Sequence, residues 1–142
     1  MSKHATNIVV VALIYEGDKI LVIRRAATKS FHPSMFECPG GHLELDETPE
    51  EGLRREVMEE IDCKIRVDQL IDAFTYRDDE AFKVELSYLC ALVQGEVPKL
   101  NPIDHSELLW ITAAEIHKFE KEDEETEALR KAFKILQGDT HE

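Results

Sequence analysis

The chain has 142 residues and a formal net charge of −13 at pH 7, a length that supports one domain with its own hydrophobic core. Hydrophobic residues make up 43% and charged residues 33%, the balance of a soluble globular protein. The acidic excess argues against nonspecific binding to nucleic acid or to anionic membranes, and the longest apolar run, Ile8 to Ile14, is too short to span a membrane. We therefore expect a single domain over residues 1–142 that has no nucleic acid polymer and no membrane as a partner.

The cysteines and the N-terminus suggest a cellular compartment. Cys38, Cys63 and Cys90 are an odd number without metal-type spacing, and we expect them to be buried free thiols. Such thiols suit a reducing compartment, and no charged leader followed by an apolar core opens the chain. The expected location is the cytoplasm.

The first half of the chain alternates β-type segments with turns. Residues 7–15 are apolar and β-branched, and residues 19–25 form a second such segment after the turn at Gly17, so a hairpin is predicted. Residues 26–37 show no period and read as a loop. The glycine turn at Gly40 and Gly41 then precedes a helical pattern that ends near residue 61.

The predicted helix has a clear start and a clear buried face. Thr48 is a good N-cap, Pro49 fits the first helical position, and Glu51 completes a capping box. The apolar face steps by four residues through Leu53, Val57 and Ile61, so we expect that face to be buried.

A stripe of carboxylates lies on another face of the same helix. Glu56 and Glu60 lie one above the other, with Glu59 on the adjoining edge. Arg55 is one turn from both Glu51 and Glu59 and can pair with either. Three neighbouring carboxylates repel each other unless a cation sits among them, and carboxylate oxygens are ligands that Mg²⁺ and Mn²⁺ prefer. The pattern predicts a hard-cation site facing the glycine turn; the alternative is a solvated acidic helix, as most charge runs are.

The second half again mixes strands and helices. Residues 64–76 predict one or two strands, residues 82–93 a long strand and residues 107–111 a short one. Thr112 and Glu115 form a second capping box that opens a short helix. Residues 124–136 predict an amphipathic helix with Leu129, Phe133 and Leu136 on one side, and the acidic stretch 120–127 reads as its exposed start. The expected class is α/β (α+β), a mixed β-sheet sandwiched between α-helices.

The helix and its flanks match a known motif. The box positions of the Nudix hydrolase family, with the Pro-Gly that precedes them, are filled here by Pro39, Gly40, Gly41, Glu47, Arg55, Glu56, Val57, Glu59 and Glu60. In these residues the chain resembles that family, which implies the α/β/α Nudix fold. Asp62 and Cys63 depart from the box at the helix exit, where Asp adopts a left-handed conformation less readily than Gly. We expect a small loss of stability there and intact chemistry.

The resemblance also implies roles for these residues. Glu56, Glu59 and Glu60 would bind Mg²⁺, with Mn²⁺ as an alternative, and the Gly40 carbonyl would be a further ligand. Glu56 is either a ligand or the general base. The catalytic set is Glu56, Glu59 and Arg55, with Arg55 orienting a carboxylate and Glu47 supporting the helix start. Similar enzymes take another acid from the loop before a tryptophan strand, so Asp104 is a candidate ligand and Glu107 a candidate site residue; the alternative for each is a solvated loop acid.

Other residues are candidates for binding the substrate. Arg24 and Arg25 end the second strand on opposite sides, so only one reaches the site easily; the alternative is two surface arginines. Phe31, His32 and Phe36 lie in the loop expected to wall the pocket, and Gly41 would let the ligand approach the backbone. Trp110 could stack on a base, although the core is the expected place for it.

The family implies hydrolysis of a nucleoside diphosphate-linked small molecule. The short chain and the Arg24–Arg25 pair favour a (d)NTP, cleaved to monophosphate and pyrophosphate. The alternatives are ADP-ribose, a nucleotide sugar or a dinucleoside polyphosphate, and a non-catalytic module that senses a nucleotide. The strand edges and the terminal helix would also allow a homodimer.

Overall fold

The computed structural model describes residues 5–30, 33–78, 81–119 and 123–138. These ranges contain a mixed sheet, two α-helices and one 3₁₀ helix at Ala113–Lys118. The strands and α-helices are, in chain order, β1 (Thr6–Glu16), β2 (Lys19–Arg25), β3 (Phe36–Glu37), β4 (Gly40–His42), α1 (Pro49–Ile61), β5 (Ile65–Arg77), β6 (Phe82–Leu92), β7 (His105–Ile111) and α2 (Glu124–Leu136).

β1 is the central strand of the sheet. The hydrogen-bonded order is β3-β2-β1-β6-β5, with β4 paired to β1 and β7 paired to β2. β1 runs parallel to β6 from Thr6 to Tyr15 and antiparallel to both β2 and β4. The N-terminal half of β1 therefore lies between β6 on one side and the glycine strand β4 on the other.

Each face of the sheet is covered by one α-helix. Strand side chains alternate between the two faces, so Val10 and Ile14 of β1 pack in one core cluster with Leu53, Val57 and Ile61 of α1. Val11 and Leu13 pack in the other cluster with Leu129 and Phe133 of α2, and Leu136 lies partly buried against it. The predicted sandwich of a mixed sheet between helices is confirmed.

The predicted boundaries of α1 are confirmed. The Thr48 hydroxyl accepts from the backbone N–H of Glu51 at 3.2 Å, and the Glu51 carboxylate accepts from the N–H of Thr48 at 2.9 Å. At the other end Asp62 adopts the left-handed conformation with φ of 57°, as its place in the motif predicts.

Several boundaries differ from the sequence prediction because they depend on distant pairing. The predicted loop before the glycine turn ends in β3, whose Phe36 and Glu37 pair with β2. Gly40 to His42 form the strand β4 through pairing with β1. Residues 65–77 form one strand, irregular at two points, and β7 begins at His105 through its pairing with Arg25. No local pattern in these segments marks such partners.

The cysteines, the tryptophan and the lengths of the helices can be compared with the sequence predictions. Cys38, Cys63 and Cys90 are buried free thiols, as predicted. Trp110 packs against the core cluster on the α1 side of the sheet. Among the residues described, no helix is long and apolar enough to cross a membrane.

Candidate active site

The carboxylate stripe of α1 lies directly against the glycine strand β4. The backbone N–H of Gly40 donates to Glu60 Oε1 at 2.9 Å. A Cβ atom at Gly41 would overlap the carboxylate of Glu56, so only glycine lets that carboxylate come so close to the strand. The two glycines therefore hold Glu56 and Glu60 side by side at the edge of the sheet.

Arg55 links the carboxylates around the start of α1. Its Nε donates to Glu47 Oε2 at 2.6 Å and its Nη1 to Glu56 Oε2 at 2.9 Å. Glu59 lies 3.3 Å from the same Nη1, while Glu51 is engaged in the capping box instead. The Arg55 hydrogen bond holds the pKa of Glu47 below its usual value. Glu44 Oε2 also lies 3.6 Å from Nη1, so one planar group contacts four carboxylates.

Two carboxylates further along α1, those of Glu56 and Glu60, have pKa values above the usual value for glutamate. Burial raises the pKa of Glu60 to about 8, and repulsion from Glu37 and Glu56 adds to the effect. Burial also raises the pKa of Glu56 above its usual value, against the opposing pull of Arg55. Such shifts are expected where carboxylates gather without a compensating cation.

Glu60 also belongs to a cluster that could hold a metal ion. Glu37, Glu60 and His105 each offer one ligand atom, and these atoms lie within 4.8 Å of one another. His105 Nε2 donates to Glu37 Oε2 at 2.8 Å, while its buried Nδ1 has no hydrogen-bond partner within the described ranges. Carboxylate oxygens suit both Mg²⁺ and Mn²⁺, whereas an imidazole nitrogen is a ligand more typical of later divalent metals such as Zn²⁺. The donor set therefore fits a divalent cation.

Asp104 lies close to this cluster but faces a different partner. Its carboxylate accepts from Lys29 Nζ at 2.8 Å, and that hydrogen bond lowers its pKa. Its negative charge still contributes to the raised pKa of Glu60, so it lies within electrostatic range. A role as metal ligand would require Asp104 to leave Lys29, and that role stays a prediction.

A cavity of about 580 Å³ opens next to the carboxylates. It lies on the α2 side of the sheet, between the start of α2 and a floor made by three strands. Floor positions come from β1 (Val9, Val11), β5 (Phe74, Tyr76) and β6 (Lys83, Glu85), and Gly40, Gly41 and Glu60 line the end nearest α1. The volume is that of an ordinary small-molecule site.

The cavity is lined by charged groups, two of which are buried. Lys83 is 8% exposed and Glu85 is 6% exposed. Lys83 Nζ donates to His42 Nε2 at 2.6 Å and lies 3.4 Å from Asp78 Oδ2. Burial lowers the pKa of His42, and the Lys83 charge lowers it further. The Tyr76 hydroxyl donates to Glu85 Oε1 at 3.1 Å.

The first turn of α2 closes the cavity from above. Glu125 lies on the cavity wall with Asp123 and Glu124, and burial raises its pKa to about 8. The sequence predicted residues 120–127 to be only an exposed helix start, and this is wrong for Glu125, which lines the cavity. Residues 120–122 lie outside the described part of the chain. Repulsion from the charges of Glu85 and Glu37 adds to the effect of burial on the Glu125 pKa.

The predicted substrate-binding residues fall into two groups. Arg25 and Gly41 line the cavity, and Arg25 Nη1 lies 3.4 Å from Glu37 Oε2. Arg24 instead lies over the Phe36 ring at 5.0 Å and 3.4 Å from Glu107 Oε1. The opposite orientation of the two arginines follows the strand alternation predicted for β2. Phe31 and His32 lie outside the described residues.

Sequence reasoning did not find the cavity floor. Along β6 the polar residues Lys83, Glu85 and Ser87 alternate with apolar ones, a pattern that normally indicates a solvent-facing side. All three are buried here, because the polar side of β6 faces α2 and the cavity. The charged residues at alternate positions of β6 were the one sequence feature that could have indicated the cavity. The helix α2 that covers them is distant in sequence, so their burial could not be predicted.

Comparison with known proteins agrees with this geometry. A family model for the NUDIX domain matches residues 4–133. The chain belongs to the Nudix hydrolase family. Its box residues are the ones that α1 and β4 bring together, which accounts for the glycine, arginine and glutamate positions as one structural unit.

Relatives and solved structures extend the likeness along most of the chain. A "MutT-like protein" of Streptomyces ambofaciens is 35% identical over 104 residues, which are 73% of this chain and 62% of that protein. A "Putative 8-oxo-dGTP diphosphatase 2" of Mycobacterium tuberculosis is 34% identical over 114 residues, which are 78% of this chain and 77% of that protein. The crystal structure of a MutT protein from Methanosarcina mazei Go1 has a TM-score of 0.76 at 22% identity, with full coverage of both chains. The last likeness shows the Nudix fold.

Proposed function

We propose that this Nudix hydrolase cleaves a nucleoside triphosphate to the monophosphate and pyrophosphate in a Mg²⁺-dependent reaction. The supporting observation is the adjacency of two features: the carboxylates of Glu56 and Glu60, and a cavity of about 580 Å³ that begins at Gly40 and Gly41. The diphosphate would lie at the carboxylates while the nucleoside extends into the cavity.

The metal would be held by carboxylates on α1 and by the glycine strand. Glu59, Glu60 and the Gly40 carbonyl are the proposed ligands, and Asp104 could join them on leaving Lys29; of the two roles open to Glu56, ligand or base, we propose the base. Bound Mg²⁺ would supply charge neutralisation of the phosphate oxygens and acidify the attacking water. Glu37 and His105 offer further donors beside Glu60.

The chain's own residues would carry the proton transfer and the positioning. Glu56 is our proposed general base, because its carboxylate lies against the glycine strand and burial raises its pKa above the usual value, which makes it a better proton acceptor. Water would attack the α-phosphorus and its proton would pass to the Glu56 carboxylate. The bond between the α-phosphorus and the α–β bridging oxygen would break, and that oxygen would leave with pyrophosphate. Arg55 would keep Glu56 and Glu59 in place. Arg25 would bind the departing phosphates.

Two observations favour a triphosphate among the Nudix substrates. A relative that is 34% identical over 78% of this chain is named as a putative 8-oxo-dGTP diphosphatase. Arg25 lies at the cavity beside Glu37, where a cation could bind terminal phosphates. The complete set of box glutamates favours catalysis over nucleotide sensing alone, because each has a place in the metal and proton chemistry.

We also propose a cytoplasmic location and leave the homodimer as an expectation. The buried free thiols fit a reducing compartment. Within the described ranges, β5 ends the sheet path with an unpaired edge, although its irregular register and the Arg66–Asp68 ion pair are features that commonly discourage edge pairing.

The decisive experiment is hydrolysis of a nucleotide panel with Mg²⁺ at mildly alkaline pH, with product identification. The panel contains canonical and oxidised dNTPs, ADP-ribose, UDP-sugars and diadenosine polyphosphates. Monophosphate plus pyrophosphate from a dNTP is the expected result. Cleavage of bridged diphosphates alone would overturn the triphosphate assignment, and tight binding without turnover would replace hydrolysis by sensing.

A further inference from the structure

Lys83 and Glu85 have their backbone on β6, two strands away from the glycine strand β4, although the Lys83 ammonium reaches back across β1 to His42. Val9 of β1 pairs with His42 of β4 on one side and with Glu85 of β6 on the other. Adjacent strands lie about 4.8 Å apart, so β4 and β6 are separated by ~10 Å across β1. A substrate whose diphosphate lies at the β4 edge would therefore extend its base over β6.

Lys83 is an unusual residue for the floor of an enclosed cavity. Its side chain is 10% exposed, and burying an ammonium costs free energy unless its hydrogen bonds are satisfied. Its ammonium lies 2.6 Å from His42 Nε2 and 3.4 Å from Asp78 Oδ2. An ammonium has three donors, so one N–H is left for a ligand acceptor, as judged from the described residues.

Glu85 stands beside Lys83 with the opposite hydrogen-bonding character. The two residues are separated by one position on β6, so both side chains are on the cavity face, ~7 Å apart along the strand. The carboxylate already accepts from the Tyr76 hydroxyl, but a carboxylate can accept several hydrogen bonds. Phe74 and Tyr76, which pair with Glu85 and Lys83, give the same area aromatic surface.

We propose that Lys83 and Glu85 are specificity-determining residues that read the lactam edge of a keto nucleobase. Lys83 donates to the ring carbonyl oxygen, and Glu85 accepts from the adjacent ring N–H. Guanine, hypoxanthine, uracil and thymine present this order of acceptor and donor. Adenine and cytosine present an amino group and a bare ring nitrogen there, which would meet the ammonium and the carboxylate with the wrong polarity.

This inference rests on the proposed function in one respect, since it needs the nucleoside to occupy the cavity. A lysine that contacted phosphate instead would act equally on every nucleotide. Base reading changes the ratio between nucleotides, and this difference separates the two roles.

The test measures kcat/KM for dGTP, dUTP, dATP and dCTP, and calorimetric binding of dGMP and dAMP, for wild type and variants. Wild type is expected to favour the keto bases by at least ~10-fold, the discrimination that a good pair of base contacts supplies. Lys83→Met and Glu85→Met, which remove the donor and the acceptor respectively, are expected to bring that ratio close to one. Lys83→Arg, which keeps a donor, is expected to retain most of the preference.

Lys131→Met is the matched control. Lys131 is an exposed lysine on α2 that pairs with Asp72, and its loss should leave the base ratio unchanged. Circular dichroism melting checks that each variant is folded. An equal fall for all four nucleotides in Lys83→Met, or a wild-type ratio near one, overturns the inference. Base-selective binding of dGMP without any hydrolysis would keep the inference and overturn the proposed function instead.

Discussion

Arg55 forms a two-point ion pair with Glu47, in which Nε lies 2.6 Å from Oε2 and Nη2 lies 3.0 Å from Oε1. The pair joins the loop before α1 to the second turn of the helix. Arg55 Nη2 also donates to the carbonyl oxygen of His42 at 3.0 Å. One guanidinium thus connects the helix, the loop that leads into it and the strand β4.

Replacing this guanidinium by an ammonium should cost both stability and activity. Lys cannot form the planar two-point pair, so Arg55→Lys is expected to lower the free energy of unfolding by about 2 kcal/mol, the scale of a hydrogen bond to a charged group. It should also lower kcat, because Glu56 and Glu59 lose their anchor. Urea unfolding and steady-state kinetics measure the two effects. Arg66→Lys is the control, since the 63% exposed Arg66 side chain should contribute less than about 1 kcal/mol. Equal behaviour of the two variants would contradict the role of Arg55.

Glu59 should be essential for turnover although it is exposed. Glu59→Gln keeps the shape of the side chain and removes its charge, and we expect kcat to fall by at least about 100-fold, as for loss of an acid–base or ligand group. Glu50→Gln is a closely matched control, because both residues lie on α1, pair with an arginine, and have side chains 58% and 57% exposed. Equal rates for Glu59→Gln and wild type at saturating Mg²⁺ would remove Glu59 from the metal set.

The two arginines at the end of β2 should behave differently. Arg25→Met is expected to raise KM for a nucleoside triphosphate by about 10-fold, because Arg25 lines the cavity and its loss removes a charged contact to phosphate. Arg24→Met, which loses contacts with Phe36, Glu107 and the Ser34 carbonyl oxygen, should change KM less than about threefold. Initial-rate measurements over a range of substrate concentrations suffice. The opposite ranking would move the phosphate site to the other face of β2.

Glu125 should make stability depend on pH. Its folded pKa of about 8 lies above its usual value of 4.5, so between those values the folded state binds a proton that the unfolded state releases. The free energy of unfolding therefore falls as pH rises through this window, by up to about 1.4 kcal/mol for each unit between the two pKa values. Glu125→Gln cannot ionise and should gain stability relative to wild type between pH 5 and pH 8.5.

Urea unfolding at both pH values in the presence of EDTA measures this gain. Glu127→Gln, on the same helix with a side chain 61% exposed, should show the same difference from wild type at both pH values. A pH-independent difference for Glu125→Gln as well would mean that Glu125 is not desolvated.

The helix exit offers a test of backbone strain. Asp62 has φ of 57°, where Gly is more favourable than any other residue. Asp62→Gly is expected to raise the free energy of unfolding by up to about 1 kcal/mol, and Asp62→Ala to lower it, since Ala lacks the local hydrogen bonds that help Asp adopt this conformation. Thermal unfolding of the two variants and of wild type measures these differences in stability, and the activity of both variants should be unchanged. Stabilisation by both substitutions would indicate that the Asp62 charge, rather than its backbone, is unfavourable.

The local elements and the carboxylate stripe could be predicted because their signals are short-range. The capping box at Thr48, the buried step of four through Leu53 and Val57, and the spacing of Glu56 and Glu60 all lie within two or three turns of one helix. The same holds for the hairpin of β1 and β2, whose turn contains Gly17.

The cavity could not be predicted because its walls come from distant segments. Glu85 and Glu125 are 40 positions apart, and each alone has the pattern of a solvent-facing residue. Asp104 illustrates the same difficulty, since its partner Lys29 lies in an aperiodic loop. β3 and β4 are too short for a periodic signal and exist only through pairing with β2 and β1.

The carboxylate cluster and the cavity floor belong to different elements. α1 and β4 hold Glu56 and Glu60, while β5 and β6 supply the aromatic and charged floor. Exchanging one side chain on a strand leaves the backbone ladder in place. A duplicated gene could therefore acquire a new nucleotide preference through one or two codon changes in β6 while keeping its hydrolytic machinery, and β6 is for the same reason the segment to randomise in a directed-evolution library.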